Sequence, residues 1–162
     1  MKLSVIIISF KSEHLLKKLL VKIPKKYEIV IVENSKFIKI KKLEKKYKNL
    51  KVILPNENLG YAKAFNLALK YCKNNLILTL TPDVIIDKQL ITKLEKFLKK
   101  FDNFSLLAPE YKNQKIYKNF TPFLNSKKTH KVSNFNINKV KEIDWCFCIL
   151  NKKKIKKTKF LD

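Results

Sequence analysis

The chain has 162 residues, with 37 lysines, no arginine, 13 carboxylates, a single glycine (Gly60) and a formal charge of +24. Its length fits one domain able to bury a core, and 46% apolar with 11% aromatic residues excludes a disordered basic tail. One glycine excludes a Walker phosphate loop and the three-glycine dinucleotide fingerprint, and no apolar run approaches the ~20 residues that span a bilayer.

Leu3 to Ser9 is a nearly continuous apolar run, the pattern of a strand covered on both faces. Ser12 is placed to cap a helix whose Leu15, Leu16, Leu19, Leu20 and Ile23 share one side before Pro24. Glu28 to Glu33 reads as a second buried strand, and residues 37–48 place Phe37, Ile40, Leu43 and Tyr47 at helical spacing. Lys51 to Leu54 is a short third strand, followed by the turn chemistry of Pro55 to Asn58. A helix over Tyr61 to Cys72 is expected to bury Ala62, Phe65, Leu69 and Cys72, and Leu76 to Leu80 is a fourth strand. Asp87 caps a helix carrying Leu90, Ile91, Leu94, Phe97, Leu98 and Phe101, and Phe104 to Ala108 makes a fifth strand. Residues 110–138 read as loop with short β pieces, and Ile143 to Leu150 as a last strand. Such alternation predicts an α/β fold, with a mostly parallel central sheet flanked by helices.

A pI near 10 invites a nucleic-acid reading. Base-reading proteins rely on the bidentate guanidinium, which this chain lacks. Lys, Asn, Ile, Phe and Tyr, all with AT-rich codons, fill 87 of 162 positions, so genome composition accounts for much of the charge. Residues 111–162 still carry +11, a surface suited to anionic lipid headgroups. The three cysteines lack a CxxC pair and read as buried thiols, with Cys146 and Cys148 on one face of the last strand. His14 and His130 read as structural or exposed, and no Ser/His/Asp or Cys/His arrangement assembles.

Ligands of open parallel sheets sit beyond the carboxyl ends of the strands. Four strand ends there carry Ser9-Phe10, Glu33-Asn34-Ser35, Asn56 to Gly60, and Thr81-Pro82-Asp83. Gly60 precedes a helix, where free N–H groups favour an anion. Asp83 is suited to hold Mg²⁺ or Mn²⁺ against a diphosphate. Glu33 is suited to accept hydrogen bonds from a base or ribose.

In these segments the chain resembles glycosyltransferase family 2, with its nucleotide-sugar-binding, Rossmann-like GT-A fold, and in particular its rhamnosyltransferase-like branch. The resemblance is carried by residues 4–20, 28–35, 56–71 and 76–87, and by the stretch from Ile143-Asp144-Trp145 to Asp162. It implies inverting, metal-assisted transfer of a sugar from a nucleoside-diphosphate donor to an acceptor hydroxyl on a glycan or lipid-linked glycan, as in cell-surface polysaccharide synthesis. Ser9 and Phe10 resemble the first donor contact, and Glu33 stands where the family has an Asp facing the nucleoside, with Asn34 and Ser35 beside it. Asn58, Gly60 and Asn66 resemble the segment closing over the donor. Asp83 matches the last acid of the metal motif, with Thr81 where its first Asp often stands. Asp144 and Trp145 fall on the acceptor side, where Cys146-Phe147-Cys148 replaces a small Gly-Ala pair.

The expected organisation is a donor-binding half over residues 1–109 and a partial acceptor side over 110–162. The family's acidic pair with the catalytic base is expected beyond Asp162, and neither Glu142, Asp144 nor Asp162 takes that role on spacing alone. The alternatives are a nucleotide-sugar-binding module without turnover and, more remotely, a basic nucleic-acid-binding protein. Nucleic acid is not expected as a partner. The expected location is the cytoplasm, peripheral at the inner face of the membrane.

Overall fold

The computed structural model describes residues 2–109, 120–122, 130–132, 135–137 and 140–155. A six-stranded sheet forms its centre, built from β1 (Leu3–Ser9), β2 (Glu28–Glu33), β3 (Leu50–Ile53), β4 (Leu76–Leu80), β5 (Leu106–Leu107) and β10 (Phe147–Asn151). The spatial order is β3-β2-β1-β4-β10-β5. The first four strands are parallel, and β10 runs antiparallel between β4 and β5. Two small antiparallel pairs lie outside this sheet: β6 (Phe120–Pro122) with β9 (Val140–Ile143), and β7 (His130–Val132) with β8 (Phe135–Ile137).

All seven residues of β1 are buried because both sheet faces are covered. Side chains alternate along a strand, so Leu3, Val5 and Ile7 enter one layer and Ile6 and Ile8 the other. The first layer packs against Leu16, Leu19 and Leu20 of α1 (Glu13–Leu20), Leu43 of α2 (Lys42–Lys46) and Ile91, Phe97 and Leu98 of α4 (Lys88–Leu98). The second packs against Ala64, Phe65 and Ala68 of α3 (Gly60–Tyr71). Right-handed crossovers account for the split of the first three helices. From β1 to β3 the chain steps outward in one direction, whereas β3 to β4 steps back across β1, which carries α3 to the opposite face.

Several expectations need correction. Ser12 precedes α1, but its hydroxyl donates to the Phe10 carbonyl at 2.8 Å and makes no cap. The segment 37–48 is a 3₁₀ turn, Ile38–Lys41, followed by the short α2. On α3 the buried face is set by Ala64, Phe65 and Ala68, with Ala62 and Leu69 only half-buried, because two alanines one turn apart let the helix approach the sheet closely. The last strand divides: Val140–Ile143 pairs with β6, a turn covers Trp145-Cys146, and Phe147–Asn151 joins the main sheet. Cys146 therefore precedes β10 and is half-buried, while Cys72 and Cys148 are buried free thiols as expected. Asp87 does cap α4, its carboxylate accepting from Leu90 N. Residues 110–119, Asp162 and the His130 and Glu142 side chains lie outside the described residues.

Candidate functional site

Strand order reverses at β1, with β2 on one side and β4 on the other, so the crevice of a doubly wound sheet opens beyond the carboxyl ends of β1 and β4. Ser9 and Glu33 are direct register partners at the ends of β1 and β2. Glu33 is fully buried. Its Oε1 accepts from Lys11 N at 3.2 Å, from Ser35 N at 3.0 Å and from Ser35 Oγ. One carboxylate oxygen thus ties the loop after β1 to the loop after β2. That tie holds Lys11 at φ 52°, beside Lys36 at φ 60°, both in the left-handed region that costs a non-glycine residue about 1–2 kcal/mol. The second oxygen, Glu33 Oε2, and the neighbouring Ser9 Oγ are buried and find no hydrogen-bond partner. Phe10, 51% exposed, follows directly, with the Lys11 ammonium 5.5 Å from its ring centre.

Asn34 points to the other face and secures the α3 entrance. Its amide donates to the Gly60 carbonyl at 3.1 Å, its oxygen accepts from Leu59 N at 3.4 Å, and its own N–H reaches the Ser9 carbonyl at 2.8 Å. Asn58 Oδ1 accepts from Gly60 N at 3.0 Å, so this N–H, expected to be free for an anion, is taken. Gly60 sits at φ +67° with open space where a Cβ would stand. The turn, not crowding, is what requires glycine there. Ser9, Glu33, Asn34, Ser35, Asn58 and Gly60 therefore form one connected network. Asn66 is half-buried further along α3.

Asp83 stands exposed three residues beyond β4, within a turn closed by Val84 N to the Thr81 carbonyl. Among the described residues no three His, Cys, Asp or Glu side chains converge as a metal cage. A divalent cation at Asp83 would therefore take its remaining ligands from phosphate oxygens and water, the usual arrangement for Mg²⁺ on a phosphorylated substrate.

The turn at Trp145-Cys146 is fixed by hydroxyls that sequence reasoning did not single out. Thr79 Oγ1 donates to the Trp145 carbonyl at 2.9 Å, which leaves it to accept from the Cys148 thiol 3.1 Å away. Tyr61 at the start of α3 also donates to that carbonyl, at 3.5 Å. Burial and the neighbouring Cys148 and Cys146 thiols push the Tyr61 phenol upward, keeping it a neutral donor. Trp145 packs edge-on against Phe65 at 5.3 Å, and Thr81 N donates to the Cys146 carbonyl at 3.0 Å. Asp144 is half-buried beside this turn. Thr79 carries no sequence signal, since it is one small residue inside an apolar strand.

Residues 4–158 match the family described as Glycosyl transferase family 2. The chain belongs to that family. Over 116 residues it is 29% identical to the Low-salt glycan biosynthesis hexosyltransferase Agl10 of Haloferax volcanii, covering 69% of this chain and 37% of that protein. S. aureus TarS 1-349 in complex with UDP-GlcNAc superposes with a TM-score of 0.60 and 27% identity, over 80% of this chain and 39% of TarS. The mannosyltransferase PcManGT from Pyrobaculum calidifontis, in complex with GDP-Man and Mn²⁺, shares the fold, with a TM-score of 0.67 at 14% identity, over 93% of this chain and 44% of that one. The chain thus spans less than half the length of each. These matches agree with the GT-A-like α/β architecture, whose central sheet is mostly parallel.

Proposed function

We propose that this family 2 domain binds a nucleoside-diphosphate sugar at the strand-end crevice and serves its transfer, with inversion, to an acceptor hydroxyl. The observation that carries this is the pair Ser9 Oγ and Glu33 Oε2, on register partners at the ends of β1 and β2, both buried and unsatisfied beside the switch point of the sheet. Buried polar atoms are nearly always paired, so two orphans there mark a place for a ligand's N–H or O–H groups. The nucleoside meets this pair and the exposed ring of Phe10, with Ser35 fixing the carboxylate. Asn34 and Asn58 shape the segment around Gly60 that closes over the donor, and Asn66 flanks it.

Asp83 holds a Mg²⁺ or Mn²⁺ ion together with the donor diphosphate. When bound, the ion supplies neutralisation of the charge that builds on the leaving diphosphate. Residues 1–109 bind the donor, and 110–162 form part of the acceptor side, where Asp144 and Trp145 face a glycan or lipid-linked glycan. Isothermal titration with UDP-, GDP- and dTDP-sugars, with and without Mn²⁺, tests the reading. Saturable binding that weakens without the metal supports it, and no binding to any of the three overturns it. Binding without donor hydrolysis or transfer selects a nucleotide-sugar-binding module without turnover.

A further inference from the structure

The segment following the β2 strand end is rich in lysine. Seven of the 13 residues from Lys36 to Lys48 are lysines, and all seven are exposed. The one acid among them, Glu44, is turned inward, its Oε1 accepting from Val52 N at 2.6 Å. The ion pairs among the described residues, Lys17–Glu13 and Lys26–Glu95, leave these seven lysines without an acidic partner. Ile40 and Leu43 anchor the segment in the core, whereas Ile38 projects 73% exposed among Lys36, Lys39, Lys41 and Lys42. Ile38 is thus held outward at the centre of a cationic face that has no acidic partner among the described residues.

We propose that the face formed by residues 36–48 docks on an anionic lipid bilayer, with Ile38 entering the headgroup–acyl boundary and the lysines paired to lipid phosphates. A bilayer is favoured over a protein partner because a single apolar tip ringed by unpaired lysines suits a deformable charged plane. Juxtamembrane lysines and apolar tips add attraction independently of a shaped groove. Two more exposed apolar side chains follow strands at the same sheet edge, Phe10 at 51% and Ile85 at 97%. Docking by the segment after β2 therefore turns the crevice edge toward the membrane, where a lipid-linked acceptor would lie. The contact is distinct from the basic C-terminal third and stands whether or not the crevice binds a nucleotide sugar.

Vesicle flotation of the intact chain tests this, comparing phosphatidylglycerol-containing vesicles with pure phosphatidylcholine ones. Binding to the anionic vesicles alone is expected. The variant Lys39→Gln/Lys41→Gln/Lys42→Gln/Lys45→Gln should lower partitioning at least ~10-fold, since each lysine near a charged surface contributes severalfold. Ile38→Ser should lower it ~3-fold or more without any change in charge. Circular dichroism melts confirm that both variants fold. The control Lys63→Gln/Lys70→Gln/Lys93→Gln/Lys96→Gln removes the same charge from other exposed sites. An equal loss in that control, an unaffected Ile38→Ser, or stronger binding to a soluble acidic protein or polysaccharide than to vesicles overturns the proposal.

Discussion

Replacing Glu33 separates the two oxygens of its carboxylate. Oε1 holds Lys11 N, Ser35 N and Ser35 Oγ, while Oε2 is buried without a partner, as is Ser9 Oγ of its register partner. Glutamine keeps an acceptor for the three donors and replaces the unpartnered charged oxygen with a neutral NH₂. Each charge-assisted bond weakens to an ordinary one, a loss of roughly 1 kcal/mol apiece, offset by relief of an unpaired buried oxygen of about 1–3 kcal/mol or more. Glu33→Gln should therefore change stability by no more than about 1–2 kcal/mol in either direction. Alanine instead strands Ser35 N and Ser35 Oγ, leaves Lys11 N only the Ser35 hydroxyl at 3.3 Å, and should cost about 2–5 kcal/mol, a large part of a small domain's total. Donor affinity responds differently, because an NH₂ repels the ligand N–H or O–H that Oε2 would accept. A lost charge-assisted bond of about 1.5–3 kcal/mol corresponds to roughly 10- to 100-fold weaker binding. Urea denaturation and titration calorimetry on both variants read the two effects separately. If Glu33→Gln destabilises as much as alanine and leaves donor affinity unchanged, the carboxylate is purely structural and the reasoning fails.

Asp83 is exposed, so Asp83→Asn should leave stability within about 0.5 kcal/mol while abolishing the metal dependence of donor binding, read by titration with and without Mn²⁺. Gly60→Ala meets nothing within 4 Å, so only the φ of +67° counts and the loss in a urea melt should be about 1–2 kcal/mol. Ellman's reagent at pH 8 should label the half-buried Cys146 in the native protein and all three thiols only after denaturation, since burial pushes Cys72 and Cys148 up to about 12. Their unfolded thiols ionise near 9.0, so the unfolded state sheds protons first and stability should fall as pH rises from about 9 towards 12, as pH-dependent melts will show.

Buried strands were the most legible part of the chain. β1, β2 and β4 begin and end where the apolar runs do, because a strand covered on both faces has no solvent-facing positions to blur its limits. Helical spacing alone was less informative. Residues 37–48 have the right period, yet only Ile40 and Leu43 are buried while lysines surround them, and the segment closes as a 3₁₀ turn and a short helix. The antiparallel entry of β10 between β4 and β5 was not legible, since an apolar run carries no direction. At the site, sequence position brought Ser9, Glu33, Asn34 and Gly60 to one edge but could not divide their tasks. Asn34 and Asn58 spend their side chains on the Gly60 segment, whereas Ser9 and Glu33 keep unpaired atoms. That division depends on which sheet face each side chain takes, and one residue of register reverses it.

Thermal unfolding in the presence of nucleoside-diphosphate sugars and Mn²⁺ tests the central claim most directly. A ligand that binds only the folded chain, at 100 times its Kd, contributes about 2.7 kcal/mol, equivalent to roughly 5–10 °C in a domain of this size. A UDP-, GDP- or dTDP-sugar should raise Tm by that order in the native chain and by clearly less in Glu33→Gln. Equal shifts in both proteins, or none with any of the three donors, would contradict a donor site at the ends of β1 and β2.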